Sequence, residues 1–288
     1  MTSSHAAMLP PELPLWDGSP AHAFSNDDQE QVRSYDAAPG LPSGRNRVFS
    51  SVSLPTYSIH RPKNPNGVGV VICPGGGFKD VWMDREGNDL AIWLKHHGIT
   101  CLVLKYRTRP THLRGPNAWL DYQRAVRADG WQAIRILRKQ AKYLSLKPDK
   151  IGICGFSAGG HLAINCSLGS EPKPPADQVS SRPDFAGLFY PGIPEDISEM
   201  IAAHTDSEDG TSDICPMFII NARVDELTPA DKCLDFYTML LKSGVKAELH
   251  IYSKGSHGFD LGTGRGKSLA IWPSSFVAWL IDSNIIFQ

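Results

Sequence analysis

The sequence carries no excess of either charge: 29 Lys and Arg stand against 30 Asp and Glu in 288 residues, a formal net charge of -1. A chain without a positive field has little means of gathering phosphates or coating an acidic membrane surface, so nucleic acid is not an expected partner. It also lacks any C-x-x-C pair, its six cysteines being Cys73, Cys101, Cys154, Cys166, Cys215 and Cys233. That removes the usual zinc and dithiol spacings, so no metal is expected, and several of these cysteines sit in apolar runs where they read as small buried hydrophobes. The opening MTSSHAAMLPPELPLW has neither a basic region nor an uninterrupted apolar run, so no signal peptide or membrane span is expected. The corresponding expectation is a cytoplasmic chain as written, or a secreted one if a leader was trimmed. No repeat of 20–50 residues and no coiled-coil heptad stands out, which leaves a homo-oligomer open.

What is present is an ordinary globular composition, 41% hydrophobic and 20% charged. Residues 1–47, rich in Pro, Gly, Ser and Asp, read as an N-terminal arm, and 48–288 as a single α/β domain. The segment 48–59 alternates with β-branched residues around Pro55 and predicts an edge strand or a pair of short strands. The segments 68–73, 101–106, 185–191, 217–222 and 247–252 read as strands, the first an apolar run of the kind buried on both faces, and 151–165 reads as a short strand running directly into a helix start. Helical patterns fall between them, among them 118–143 with Gly130 interrupting its middle, and 272–281 closes the chain as a helix. Thr228 and Pro229 read as the cap and first residue of another helix. Strands alternating with helices predict a mostly parallel central sheet with helices on both faces. The long acidic stretch 192–213 reads as a short lid or substrate-side loop.

Gly155-Phe156-Ser157-Ala158-Gly159 fits G-x-S-x-G between a strand and a helix, where a sharp turn needs residues without bulky Cβ substituents to expose the Ser157 hydroxyl. A serine needs a base of near-neutral pKa within hydrogen-bond reach. Of the ten histidines, His257 lies in a glycine-flanked loop just after the final strand, and His161 is its rival on the helix after Ser157. A carboxylate must hold that imidazole in the right tautomer. Asp225 follows the strand 217–222 and keeps the order Ser, Asp, His, with Glu226 and Asp260 as alternatives. The loop Pro74-Gly75-Gly76-Gly77-Phe78 can aim the amides of Gly76 and Gly77, together with that of Ala158, at a developing oxyanion. Neither G-x-x-x-x-G-K-[ST] nor G-x-G-x-x-G follows that strand, which disfavours nucleotide chemistry.

Taken in order, VVICPGGGF (70–78), LKYR (104–107), IGICGFSAGGHLA (151–163), RVDELTP (223–229), ELHIYSKGSHGF (248–259) and WPSSFVAWL (272–280) resemble the α/β-hydrolase superfamily. Within it they resemble the esterase and lipase group that includes acetylxylan-esterase-like and feruloyl-esterase-like proteins. The resemblance covers roughly 48–284 and implies Ser157 as nucleophile, Asp225 as orienting acid and His257 as base, without a cofactor. Pro74 departs from the histidine that often precedes the glycine triplet in lipases and resembles the small carbohydrate-esterase branch. The implied activity is hydrolysis of short acyl esters, acetyl foremost, with a small ester or acylated carbohydrate such as xylan as substrate. A general short-chain carboxylesterase, a feruloyl-type esterase and a non-catalytic binding protein on the same fold are the alternatives. Phe78, Lys79, Trp82 and Met83 are expected to line the pocket, with Arg107 near its mouth.

Overall fold

The computed structural model describes residues 8–23, 29–37, 40–169, 179–204 and 212–286. Its centre is a sheet of eight strands in the order β1 (Leu13–Pro14), β4 (Thr56–His60), β7 (Thr100–Lys105), β5 (Gly69–Cys73), β8 (Ile151–Phe156), β9 (Ala186–Phe189), β10 (Met217–Ala222) and β11 (Ala247–Tyr252). The first two are antiparallel additions at one edge, and the six from β7 to β11 are parallel. Every residue of β5, β7, β8, β9 and β10 is buried, which is why these strands read as largely apolar runs. The edge strand β11 is half-buried except at Ile251, which is exposed.

Helices α1 (Asp89–Lys95), α2 (Ala118–Lys139), α3 (Ala141–Leu144), α4 (Ala158–Leu168), α5 (Ile197–Ala202), α6 (Ala230–Lys242) and α7 (Trp272–Asp282) cover both faces. Gly130 does not break α2. A Cβ at that position would come 2.5 Å from the Cys166 Sγ, so the residue is small because α2 and α4 cross closely there. The N-cap of α6 is Pro229 rather than Thr228, and the Thr228 side chain is directed elsewhere.

The segment 48–59 divides between two sheets. Its second strand is β4, while β3 (Arg47–Ser50) forms a separate antiparallel sheet with β2 (Gln31–Ser34) and β6 (Asp80–Val81). Residues upstream are tied to the core by polar contacts: the Trp16 Nε1–H donates to Asp129 over 2.9 Å, and Lys105 pairs with Glu12 and Glu30. Of the expected lid 192–213, α5 is described and 205–211 lie outside the described residues.

The chain runs from β5 outward to β7, then returns across β5 to β8. This reversal opens a crevice at the carboxyl ends of β5 and β8, the place where open α/β sheets hold ligands. The glycine loop leaves β5 there and Ser157 leaves β8. Among the described residues no helix is long and apolar enough to cross a membrane.

Candidate active site

Ser157 sits between the end of β8 and the start of α4 with φ 53° and ψ −116°, a conformation strained for a residue with a Cβ. Backbone bonds over-determine it: its N–H donates to Phe189 O at 3.0 Å, and its C=O accepts from His161 and Gly192 at 3.0 and 3.1 Å. The flanking glycines are obligatory. A Cβ on Gly155 would collide with the Gly159 carbonyl, and one on Gly159 with the Cys73 carbonyl, so the turn closes only with both.

The Ser157 Oγ lies 2.8 Å from the His257 Nε2. The other ring nitrogen, Nδ1, lies 3.0 and 2.9 Å from the Asp225 Oδ1 and Oδ2. Asp225 is itself fixed, because Oδ1 accepts from the Leu227 and Thr228 amides at 3.0 and 2.8 Å, and Oδ2 from the Thr228 hydroxyl at 2.9 Å. Burial pushes the Asp225 carboxyl up, but the hydrogen bonds from His257 and Thr228 outweigh it, and the group sits below its ordinary value. A carboxylate so held is ionised at neutral pH, makes Nδ1 the protonated nitrogen and leaves Nε2 as an acceptor facing Ser157.

The rivals are placed elsewhere. His161 packs edge-on against Phe78 with ring centroids 5.3 Å apart, and burial pushes its imidazole down to about 4. Glu226 is exposed, and Asp260 is held by Arg85 at 2.8 Å.

Gly76, Gly77, Ser157 and His257 line one cleft of about 550 Å³, together with Trp82, Arg85, Glu86, Leu227 and Thr228. Gly76 at φ 139° and Gly77 at φ 61° give the loop its sharp turn, and a Cβ on Gly76 would collide with the Asp80 carbonyl. Neither glycine N–H is spent on a backbone partner among the described residues. Ala158 opens α4, so its N–H belongs to the first turn, which has no carbonyl partner within the helix.

Beneath the loop lies a buried network that sequence reasoning missed. Glu86 accepts from the Gly75 amide at 2.8 Å and from the Tyr190 hydroxyl at 2.7 Å, and the Tyr190 oxygen accepts from the Asp260 amide at 3.1 Å. Burial pushes the Glu86 carboxyl up against the pull of Tyr190 and Gly75. The sequence pattern makes Thr228 a helix cap, a place the structure gives to Pro229. The Thr228 hydroxyl instead bridges Asp225 and the His257 Nδ1, 3.1 Å away, and it also reaches the Tyr190 carbonyl. The available signal was its position three residues after a carboxylate in a turn, a spacing shared with caps.

The expected pocket-lining residues separate. Trp82 lies on the cleft wall, with Arg85 stacked over its ring at 5.2 Å. Phe78 lies on a neighbouring cavity, against Trp119 and His161. Lys79 is exposed and absent from both walls, and Met83 is buried, 1% exposed, away from both. Arg107 does not stand at the mouth. It is 1% exposed, with its guanidinium in a two-bond pairing to Asp129 at 2.8 Å and donating to the Ala125 carbonyl. An arginine beside a predicted strand reads as surface charge in sequence, and its buried partner on α2 is 22 residues away.

Comparison with known proteins places this geometry. The family model described as "Dienelactone hydrolase family" matches residues 112–267. An acetylxylan esterase of Xylanibacter ruminicola is 31% identical over 223 residues, which are 70% of this chain and 43% of that protein, so the chain spans less than half of that relative's length. The crystal structure of an acetyl ester-xyloside bifunctional hydrolase from Caldicellulosiruptor lactoaceticus is 25% identical, covers 97% of this chain and 98% of its own, and superposes with a TM-score of 0.69. A thermophilic esterase from Thermogutta terrifontis, at 21% identity, shares the fold over 81% of this chain and 91% of its own with a TM-score of 0.64. The fold and the Ser157, His257, Asp225 arrangement are those of a serine carboxylic ester hydrolase.

Proposed function

The chain belongs to the dienelactone hydrolase family, and from that premise we propose that it removes short acyl groups, acetyl foremost, from carbohydrate esters such as acetylated xylan. The observation that carries the reading is the 2.8 Å contact between the Ser157 Oγ and the His257 Nε2 at the floor of a cleft walled by the glycine loop. The near-neutral net charge suits an uncharged substrate, and two similar proteins bear names that speak of acetyl or xylan esters.

In the first step the Ser157 Oγ attacks the ester carbonyl while the His257 Nε2 takes its proton, and the Asp225 carboxylate stabilises the resulting imidazolium. The carbonyl oxygen gathers negative charge and receives the amides of Gly76, Gly77 and Ala158. As the tetrahedral species collapses, the carbon to alcohol-oxygen bond breaks, and the alcohol leaves with the proton from His257. Water then attacks the acyl-Ser157 ester, giving its proton to His257. Collapse breaks the bond to Ser157, returns the proton to Oγ and frees the carboxylic acid.

The test is acetate release from acetylated xylan beside turnover of p-nitrophenyl acetate, butyrate and octanoate, each repeated with Ser157→Ala. The reading expects acetate from xylan, a preference for acetyl over octanoyl, and loss of both in the variant. A preference for the long chain, or release only from the nitrophenyl esters, would count against it in favour of a general carboxylesterase. Turnover unchanged by Ser157→Ala would remove the catalytic reading altogether.

A further inference from the structure

Glycine restricts the backbone less than any other residue, so the shape of the loop Gly75-Gly76-Gly77 has to be imposed on it by its surroundings. Its peptide planes are pinned one after another. In the first, the Pro74 carbonyl accepts from the Tyr106 hydroxyl at 2.7 Å, and the Gly75 N–H donates to the Glu86 Oε2 at 2.8 Å. In the second, the Gly75 carbonyl accepts from the Trp82 amide at 3.0 Å, which turns the Gly76 N–H the opposite way. In the third, the Gly76 carbonyl accepts from the Lys79 and Asp80 amides at 3.2 and 3.0 Å, which turns the Gly77 N–H likewise. The second and third planes are closed within the loop's own turn, whereas the first is held by side chains of other elements.

Glu86 reaches the loop from a π-helical turn, Asp84–Asn88, that leads into α1. This turn packs against the start of the loop, since a Cβ on Gly87 would come 2.7 Å from the Val103 Cγ1 and 3.2 Å from the Pro74 Cγ. Gly75 is in turn wedged between Glu86 and the nucleophile. A Cβ there would stand 2.5 Å from the Glu86 Oε2, 2.9 Å from the Phe156 carbonyl oxygen and 3.0 Å from the Ser157 Cβ. The second carboxyl oxygen leads to the base. Because the Tyr190 hydroxyl oxygen accepts from the Asp260 amide, its own proton goes to the Glu86 Oε1, and the Tyr190 ring stands edge-on to the His257 imidazole with centroids 5.1 Å apart. Neither Ser157 nor His257 is among the hydrogen-bond partners of Glu86. A carboxyl group 6% exposed is a poor source of stability, so its two well-placed acceptors point to a use.

Taking ester hydrolysis as given, and whatever the alcohol, we propose that Glu86 is a positioning residue: by holding Gly75 with one oxygen and Tyr190 with the other, it fixes the glycine loop and the His257 ring relative to Ser157. It exchanges no proton with the substrate, so its loss acts on the tetrahedral species rather than on the first encounter.

The experiment compares wild type, Glu86→Gln, Glu86→Asp and Tyr190→Phe by kcat/KM on p-nitrophenyl acetate and by Ki for a trifluoromethyl ketone, to which the Ser157 Oγ adds while its proton passes to His257. Gln keeps a carbonyl for Gly75, whereas Asp keeps the charge but is one methylene too short. The expected loss in kcat/KM is about fivefold in Glu86→Gln, about hundredfold in Glu86→Asp and about tenfold in Tyr190→Phe, with Ki rising by the same factor in each. Loss of activity at unchanged Ki would report fewer folded molecules and overturn the proposal, as would all three variants within about twofold of wild type. Glu86→Asp near wild type, beside a loss of about a hundredfold in Glu86→Gln, would assign the effect to charge and overturn it too. Wild type that does not turn over p-nitrophenyl acetate would remove the ester-hydrolysis reading and the proposal with it.

Discussion

Replacing Asp225 by Asn changes one atom, and the structure fixes which way the amide must turn. The Leu227 and Thr228 N–H groups both donate to Oδ1, at 3.0 and 2.8 Å, so the amide carbonyl has to take that position. The NH2 then occupies the Oδ2 position, 2.9 Å from the His257 Nδ1 and 2.9 Å from the Thr228 hydroxyl. An NH2 donates, so Nδ1 must become the acceptor and the ring proton moves to Nε2, 2.8 Å from the Ser157 Oγ. The contact of Nδ1 with Oδ1 at 3.0 Å does not rescue the tautomer, because that oxygen already accepts from two amides. Ser157 then faces a donor and has no base. The expected loss in kcat on p-nitrophenyl acetate is about ten-thousandfold, roughly 5 kcal/mol of barrier, with the melting temperature little changed. Glu226→Gln is the control and should stay within about twofold of wild type, since that carboxylate is exposed. An Asp225→Asn enzyme within tenfold of wild type, or a comparable loss in Glu226→Gln, would refute the tautomer argument.

Three further outcomes follow from the same geometry. Thr228→Val keeps the side-chain shape but removes a hydroxyl from Asp225 and His257, so kcat should fall about tenfold at unchanged KM, and the Asp225 carboxyl should titrate higher; an unaltered pH–rate profile would show the hydroxyl to be idle. Glu86→Leu strands the Gly75 N–H and the Tyr190 hydroxyl in the core and should cost about 2–6 kcal/mol in urea unfolding, whereas Glu86→Gln keeps one acceptor and should lose less; equal losses would contradict the network. The His60 imidazole, 3% exposed and bonded to Asn88, is pushed down to about 4 by burial, so the unfolded chain takes up its proton first as pH falls below 6.5. Its share of stability, present above pH 6.5 and worth about 3 kcal/mol, is lost toward pH 4. Urea midpoints of wild type and His60→Gln should therefore converge across that window, and parallel pH curves would refute the assignment.

The inner parallel strands β5, β7, β8, β9 and β10 were legible because each is buried along its whole length and leaves a largely apolar run. Ser157 was legible because the turn it occupies tolerates only glycine at 155 and 159. Of the small sheet only β3 was legible, as the first of the two short strands in 48–59, since β2 and β6 are four and two residues long and partly polar. Glu86 and Arg107 stayed hidden for a related reason. A charged residue reads as surface until its partner is known, and the partners, Tyr190 and Asp129, lie 104 and 22 residues away. The pattern in Asn221 to Pro229 gave Asp225 but not Thr228, because a threonine before a proline at a helix start reads as a cap, and only the tertiary position of His257 turns it toward the site.

The central claim is that Ser157 is the nucleophile that His257 activates, and covalent trapping tests it most directly. Intact-mass and peptide mass spectrometry after reaction with a p-nitrophenyl alkylphosphonate should find one adduct per chain. It should lie on the peptide containing Ser157 and form in step with nitrophenol release and loss of activity, and it should be absent in Ser157→Ala and slowed in His257→Ala. An adduct on any other residue, or full esterase activity in the labelled protein, would contradict the account.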